Sequence, residues 1–202
     1  MFTGIVETIG TVTNIEKEGT NIHFTIKTDL AKESYIDQSI AHNGVCLTVV
    51  SIKDDTYVVT AIQETLNLTN LGLWNVGDTI NIERAMTADK RMDGHFVQGH
   101  VDGTVKCISV EDANGSWNYR FSLPDSKRNL IVSKGSVTLN GISLTVVDPD
   151  EDSFGVSIIP YTYEHTTMHN VSKDSTINIE YDMIAKHIVK NIELYMDVYM
   201  KK

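Results

Sequence analysis

The chain repeats itself. Residues 43–50 read NGVCLTVV and residues 140–147 read NGISLTVV, so six of eight positions agree at an offset of 97. The same offset superimposes TINIE at 79–83 on TINIE at 176–180, and pairs Ile62 with Ile159, Thr65 with Thr162 and Thr69 with Thr166. A looser echo opens each half: Gly4-Ile5-Val6-Glu7 before Gly10-Thr11-Val12, and Gly99-His100-Val101-Asp102 before Gly103-Thr104-Val105. A tandem duplication implies two similar folds, and two similar folds imply two similar pockets.

With 202 residues, each copy spans roughly 85–95 residues, within the size range of a small domain. The composition, 41% hydrophobic and 22% charged, is that of a globular chain. The net charge of −10 argues against nucleic acid as a partner and against docking on an anionic membrane, since both need a basic face. The two cysteines, Cys46 and Cys107, form no CxxC pair, which favours a reducing, cytoplasmic compartment. MFTGIVETIG has no basic start and no long apolar run, so it does not read as a signal peptide. No stretch approaches the ~20 apolar residues of a membrane span.

The dominant period is two. Ile22, Phe24 and Ile26 alternate with polar neighbours, as do Trp117, Tyr119, Phe121 and Leu123. Such segments are half-buried strands. LTVV at 47–50 leads through a turn at Asp54-Asp55 to YVVTAI at 57–62; the second half repeats this through Asp148-Pro149-Asp150 to FGVSII. Asn114-Gly115 marks a hairpin. Many short strands in a unit this small predict a closed antiparallel barrel or a sandwich. Ala85 to Gly94 reads as the connection between the halves. Ile184, Ile188, Ile192, Tyr195 and Tyr199 draw one apolar stripe on a C-terminal helix without counterpart in the first half, suited to covering a barrel end or to self-association.

Three constellations are candidates for chemistry. The duplicated Asn-Gly suits a tight turn or a close backbone approach to a ligand. Two residues on, the copies differ in nucleophilic character, Cys46 against Ser143; the bland alternative is that both are small wall-fillers. His95 and His100 flank the junction of the halves, and histidine suits proton transfer near neutrality, although any single histidine is more often a hydrogen-bonded structural residue. Gln63-Glu64-Thr65 and its counterpart Pro160-Tyr161-Thr162 follow apolar strands and read as loop, either binding hydroxyls or structural; around His165 and His169 the chain reads as strand and loop. There is no Walker A loop, no GxGxxG entering a helix, no GxSxG and no HExxH.

Taken in order and spacing, MFTGIVE, AHNGVCLTV (41–49), ETLNLTNLG (64–72), VGDTINIERA (76–85), DGHFVQGHVDG (93–103) and NGISLTV (140–146) resemble riboflavin synthase of the alpha-chain type over the whole chain. The resemblance implies a mainly β fold. It consists of two tandem six-stranded antiparallel Greek-key β-barrels, at 1–88 and 97–182, a linker at 89–96, and a C-terminal trimerisation helix at 183–202. It implies a cofactor-free, metal-free dismutation of two molecules of 6,7-dimethyl-8-ribityllumazine. A four-carbon unit passes between them, giving riboflavin and 5-amino-6-ribitylamino-pyrimidinedione. The facing pockets then come from the N-terminal barrel of one subunit and the C-terminal barrel of its neighbour in a homotrimer. Some relatives ride inside a lumazine synthase capsid. Related antenna proteins share the barrels and bind lumazine or flavin without turnover.

Carried over by position, Ser143, Cys46 and His100 stand near the reacting rings, with His95 close behind His100. Thr48 and Thr145 share the strands of Cys46 and Ser143, beside Leu47 and Leu144. The resemblance places Gly4, Ile5 and Val6 in the first pocket with Thr60, Ala61, Ile62, Gln63, Glu64 and Thr65. It places Gly99, His100 and Val101 in the second with Ser157, Ile158, Ile159, Pro160, Tyr161 and Thr162. Ser39, Lys134 and Asp182 match further positions around the site, and Phe2 a position at a pocket edge. Two positions depart from some members: Tyr161 and Asn140 stand where an acidic residue occurs, and Asn140 has no carboxylate to act as a base.

Overall fold

The structure, a computed structural model, describes residues 1–199. The first half forms β1 (Thr8–Glu18), β2 (Asn21–Lys27), β3 (Ser39–His42), β4 (Val45–Lys53), β5 (Thr56–Ala61), α1 (Gln63–Leu68) and β6 (Thr79–Arg84). The second forms β7 (Gly103–Asp112), β8 (Trp117–Ser122), β9 (Ser136–Leu139), β10 (Ile142–Val147), β11 (Ser153–Ile158), α2 (Pro160–His165) and β12 (Thr176–Tyr181), and α3 (Met183–Tyr199) follows. Each set of strands closes into an antiparallel barrel. The first runs β1-β2-β5-β4-β3-β6, and the second repeats that order six strands on. Among the described residues, closure leaves no unpaired sheet edge.

The two-residue alternation fills each barrel. Val12, Phe24, Ile26, Val49, Tyr57 and Ile82 point into the first, and Val105, Tyr119, Phe121, Leu139, Phe154 and Ile179 into the second. Bulges at Val12/Asn14, Val49/Ser51 and Cys107/Ser109 sharpen strand curvature where the small barrels must bend. The 3₁₀ turns Asn70–Leu73 and Thr167–Asn170 drive Leu71 and Met168 fully into the barrel interiors. Thr69 and Thr166 start these turns, each hydroxyl accepting from the backbone N–H two residues ahead.

Two segments expected as loop are helical. Residues 63–68 and 160–165 form the short helices α1 and α2, and His169 lies in a 3₁₀ turn rather than in strand or loop. Six residues are too few for a helical period to stand out, and only Pro160, at the first helical position, marks a start. The turns at Asp54, Asn114 and Asp148 form where expected, each of these residues adopting positive φ. Of the helix expected over 183–202, residues 200–202 lie outside the described residues, as does the side chain of Tyr199.

The barrels are joined by a pseudo-two-fold set of bonds, built largely from the repeated blocks. The Asn43 Oδ1 accepts from the Asn81 N–H (2.8 Å), and the Asn140 Oδ1 from the Asn178 N–H (2.9 Å). Each second asparagine then reaches across, the Asn81 Nδ2 to the Asn140 carbonyl and the Asn178 Nδ2 to the Asn43 carbonyl, both at 2.9 Å. Their Oδ1 atoms accept from the N–H groups of Thr167 and Asn70. The duplicated Asn-Gly thus makes a close backbone approach, but to its own copy. A Cβ on Gly44 or Gly141 would sit 2.7 Å from the other glycine's nitrogen.

Candidate active site

On β4, Val45, Leu47 and Val49 face the barrel interior, so Cys46 and Thr48 face outward; on β10, Ser143 and Thr145 do the same. Both clefts therefore lie outside the barrels, not within them.

A second wall comes from the segments preceding β1 and β7. Phe2 and Val97 pair as an isolated antiparallel bridge, with N–H to carbonyl distances of 2.7 and 3.1 Å. From this crossing the two segments pass to opposite sides. The Gly4 carbonyl accepts from the Ser143 N–H (2.8 Å), and the Gly99 carbonyl from the Cys46 N–H (2.9 Å). Gly4, Ile5 and Val6 therefore line the second barrel's cleft, with Ser143, Tyr161, Thr162 and His165, in a space of ≈ 440 Å³. Gly99, His100 and Val101 line the first barrel's cleft with Cys46, Glu64 and Thr65, ≈ 190 Å³. This reverses the expected partnering of both segments. Each half lends its leading segment to the other half's cleft, and nothing in strand periodicity reveals such an exchange. Glycine is needed at the contact: Gly4 and Gly99 have φ of +75° and +78°, and a Cβ on either would lie 2.7 Å from the Cβ of Ser143 or Cys46.

The histidines separate. His95, expected behind His100, instead meets Ser143, its Nδ1 2.6 Å from the Ser143 Oγ and its Nε2 3.1 Å from the Thr138 Oγ1. Burial lowers the pKa of His95, and the negative charge of Asp182 offsets this in part. A neutral imidazole beside a hydroxyl is an acid–base pair. His100 is exposed, in the Cys46 cleft. Burial pushes the Cys46 thiol up, with Ser39 beside it lowering it in part, so Cys46 is a neutral thiol rather than an activated nucleophile. The two clefts share a wall design and differ in chemistry.

A model of the Lumazine binding domain matches the chain twice, over residues 3–85 and 98–182. The chain is 41% identical over 189 residues to the riboflavin synthase of Actinobacillus pleuropneumoniae, across 93% of this chain and 88% of that one. It is 38% identical over 191 residues to that of Bacillus subtilis, across 94% and 89%, and 35% identical over 206 residues to that of Schizosaccharomyces pombe, across 100% and 99%. This chain belongs to the riboflavin synthase family. Its fold is shared by LumP solved with 6,7-dimethyl-8-(1'-D-ribityl) lumazine (TM-score 0.81) and with riboflavin (0.84), each 21% identical and covering 90% of this chain and 99% of that one.

Other residues expected from the family resemblance fall into place unevenly. Ile62 and Ile159 are exposed where β5 and β11 give way to the short helices. Tyr161 stacks on His165 at 4.0 Å between ring centroids. Asp182 acts on His95 electrostatically and begins α3, its Oδ1 accepting from the Ile184 N–H. Lys134 is exposed in the turn before β9. Phe2 is fully buried on the axis between the clefts rather than at the edge of one. Asn140, where an acidic residue occurs in some relatives, is a structural acceptor, its Oδ1 taking the Asn178 N–H of its own barrel and its backbone carbonyl the Asn81 Nδ2 of the other. Thr138 and the buried Glu83 and Glu180 escaped sequence reasoning; the Glu pair was visible only as the last letter of TINIE.

Proposed function

We propose that this protein is a riboflavin synthase that brings two molecules of 6,7-dimethyl-8-ribityllumazine together and moves a four-carbon unit from one to the other. The observation that carries this reading is the pair of related clefts: a reaction that consumes two copies of one molecule needs two similar sites. Holding both rings in register supplies most of the catalysis, since positioning is worth ~7–11 kcal/mol in favourable cases. The exchange is redox-neutral, one lumazine leaving as the pyrimidinedione and the other as riboflavin, so it needs no outside electron acceptor.

The chain supplies modest acid–base chemistry. With its proton on Nε2, held toward the Thr138 Oγ1, His95 has Nδ1 free to accept from the Ser143 hydroxyl. That arrangement suits removal of a proton from the acidic C7 methyl of a bound lumazine, or activation of a hydroxyl or water for addition at C7 of its partner. Cys46, as a neutral thiol, serves the opposite cleft as a contact.

In this reading α3 builds a homotrimer in which the cleft of one barrel faces the other kind of cleft on a neighbour. Ile184, Ile188 and Ile192 support it, being 55–56% exposed along one helix face. A cytoplasmic location and passage inside a lumazine synthase shell belong to the same reading. Among the described residues, no helix is long and apolar enough to cross a membrane.

The deciding assay follows lumazine loss and riboflavin gain with purified protein, chelator present and no cofactor added. Two lumazines consumed per riboflavin formed is the expected result. Tight binding without turnover would replace the synthase by an antenna protein.

A further inference from the structure

The two glutamates that end the repeated TINIE blocks are buried, 3% exposed at Glu83 and 2% at Glu180. A carboxylate is costly to bury, and it survives only when its oxygens meet donors. Here several of the donors belong to the exchanged segments. The Glu83 Oε1 accepts from the Thr3 N–H and hydroxyl, both at 2.7 Å, and its Oε2 from the Gly4 N–H at 3.0 Å. The Glu180 Oε1 accepts from the Gln98 N–H (2.7 Å) and its Oε2 from the Gly99 N–H (2.9 Å).

The same glycines touch the reactive strands. Gly99 donates its N–H to Glu180 and accepts from the Cys46 N–H, so one residue connects β12 of the second barrel to β4 of the first. Gly4 mirrors this, connecting Glu83 on β6 of the first barrel to Ser143 on β10 of the second.

We propose that Glu83 and Glu180 are positioning residues for the opposite barrel's cleft, each holding the borrowed segment that forms one wall of it. This deepens the reading of the clefts as lumazine sites. Glu83 fixes the wall beside Ser143 and Glu180 the wall beside Cys46. The carboxylate form is required because both oxygens of each face donors. A glutamine in either place turns an NH₂ toward an N–H, whichever way its amide is flipped, and loses at least one bond.

The two cysteines supply the test. Cys46 lies under Gly99, and Cys107 is buried in the second barrel's core. Iodoacetamide labelling of each thiol in the full chain, read by mass spectrometry without ligand, compares the unaltered protein with Glu180→Gln and Glu83→Gln. Glu180→Gln should speed labelling of Cys46 about fivefold or more by freeing Gly99, while Cys107 stays protected. Glu83→Gln should leave Cys46 within about twofold, because the wall it holds is at the other cleft. Equal acceleration of Cys46 in both variants, or none in Glu180→Gln, overturns the proposal. If Glu180→Gln also exposes Cys107, the second barrel has opened. Glu180→Asp, which keeps the charge and shortens the reach, then replaces it and must give the Cys46-only acceleration for the proposal to stand. Protection of Cys46 by added riboflavin tests the lumazine-site reading separately: its loss in the unaltered chain counts against that reading, while the ligand-free rates still decide the role of the glutamates.

Discussion

At the scale of single residues, the copies are alike in shape and unlike in chemistry. Cys46 and Ser143 occupy equivalent outward positions, yet only Ser143 has a histidine at 2.6 Å. Ser143→Ala should therefore lower turnover by about 10²-fold, the lower end of what a positioned proton-transfer group contributes, with little change in riboflavin affinity. Equal losses in both would make Ser143 a ligand contact. The pH profile follows from the environment of His95. Its pKa is lowered chiefly by burial, so the neutral, proton-accepting form persists to lower pH than for an exposed histidine. Turnover should hold through neutrality and fall as pH drops through the depressed value. His95→Gln should remove that acid limb from the kcat profile. The stability linkage has the same sign: a histidine depressed on folding contributes stability above its unfolded pKa, and that contribution is lost as pH falls through the folded one.

At the scale of elements, β6 and β12 do more than close their barrels. Asn81 donates to the Asn140 carbonyl and accepts from the Thr167 N–H, all in buried surroundings. Asn81→Ala strands both partners, and one unsatisfied buried group costs about 1–3 kcal/mol. Denaturant unfolding should show a loss of about 2 kcal/mol or more, with Asn178→Ala behaving alike. A loss below about 0.5 kcal/mol would mean that water replaces the crossing bonds. Strands were legible in the sequence because a barrel wall imposes a period of two on Phe24, Ile26, Tyr119 and Phe121. The helices α1 and α2 were not, since one and a half turns leave no period. The Asn-Gly turn was legible, Asn140 and Gly141 both adopting positive φ, but only the packing of the other barrel against it shows it to be a joint.

At the scale of the whole molecule, the exchange of leading segments makes each cleft a product of both halves, and the proposed homotrimer would carry the same logic through α3 to neighbouring chains. Ile188→Asp with Ile192→Asp, on the exposed stripe of α3, should shift the sedimenting species from trimer to monomer. It should lower turnover by about 10²-fold or more while leaving the barrels folded, because rings on separate chains lose their register. A monomeric variant with full turnover would place both lumazines on one chain. The sequence alone determined the duplication and the short alternating strands, which are written in repeated letters and local period, and its motifs, by resemblance, pointed to the family and its two barrels. Tertiary structure alone decided that Gly4 serves Ser143 and Gly99 serves Cys46, that His95 and His100 part company, and that Glu83 and Glu180 face the borrowed segments. These pairings join residues about 50 to 140 positions apart across a pseudo-two-fold axis. Local propensity carries no information over such distances, and only the closing of two barrels against each other selects which segment crosses to which side.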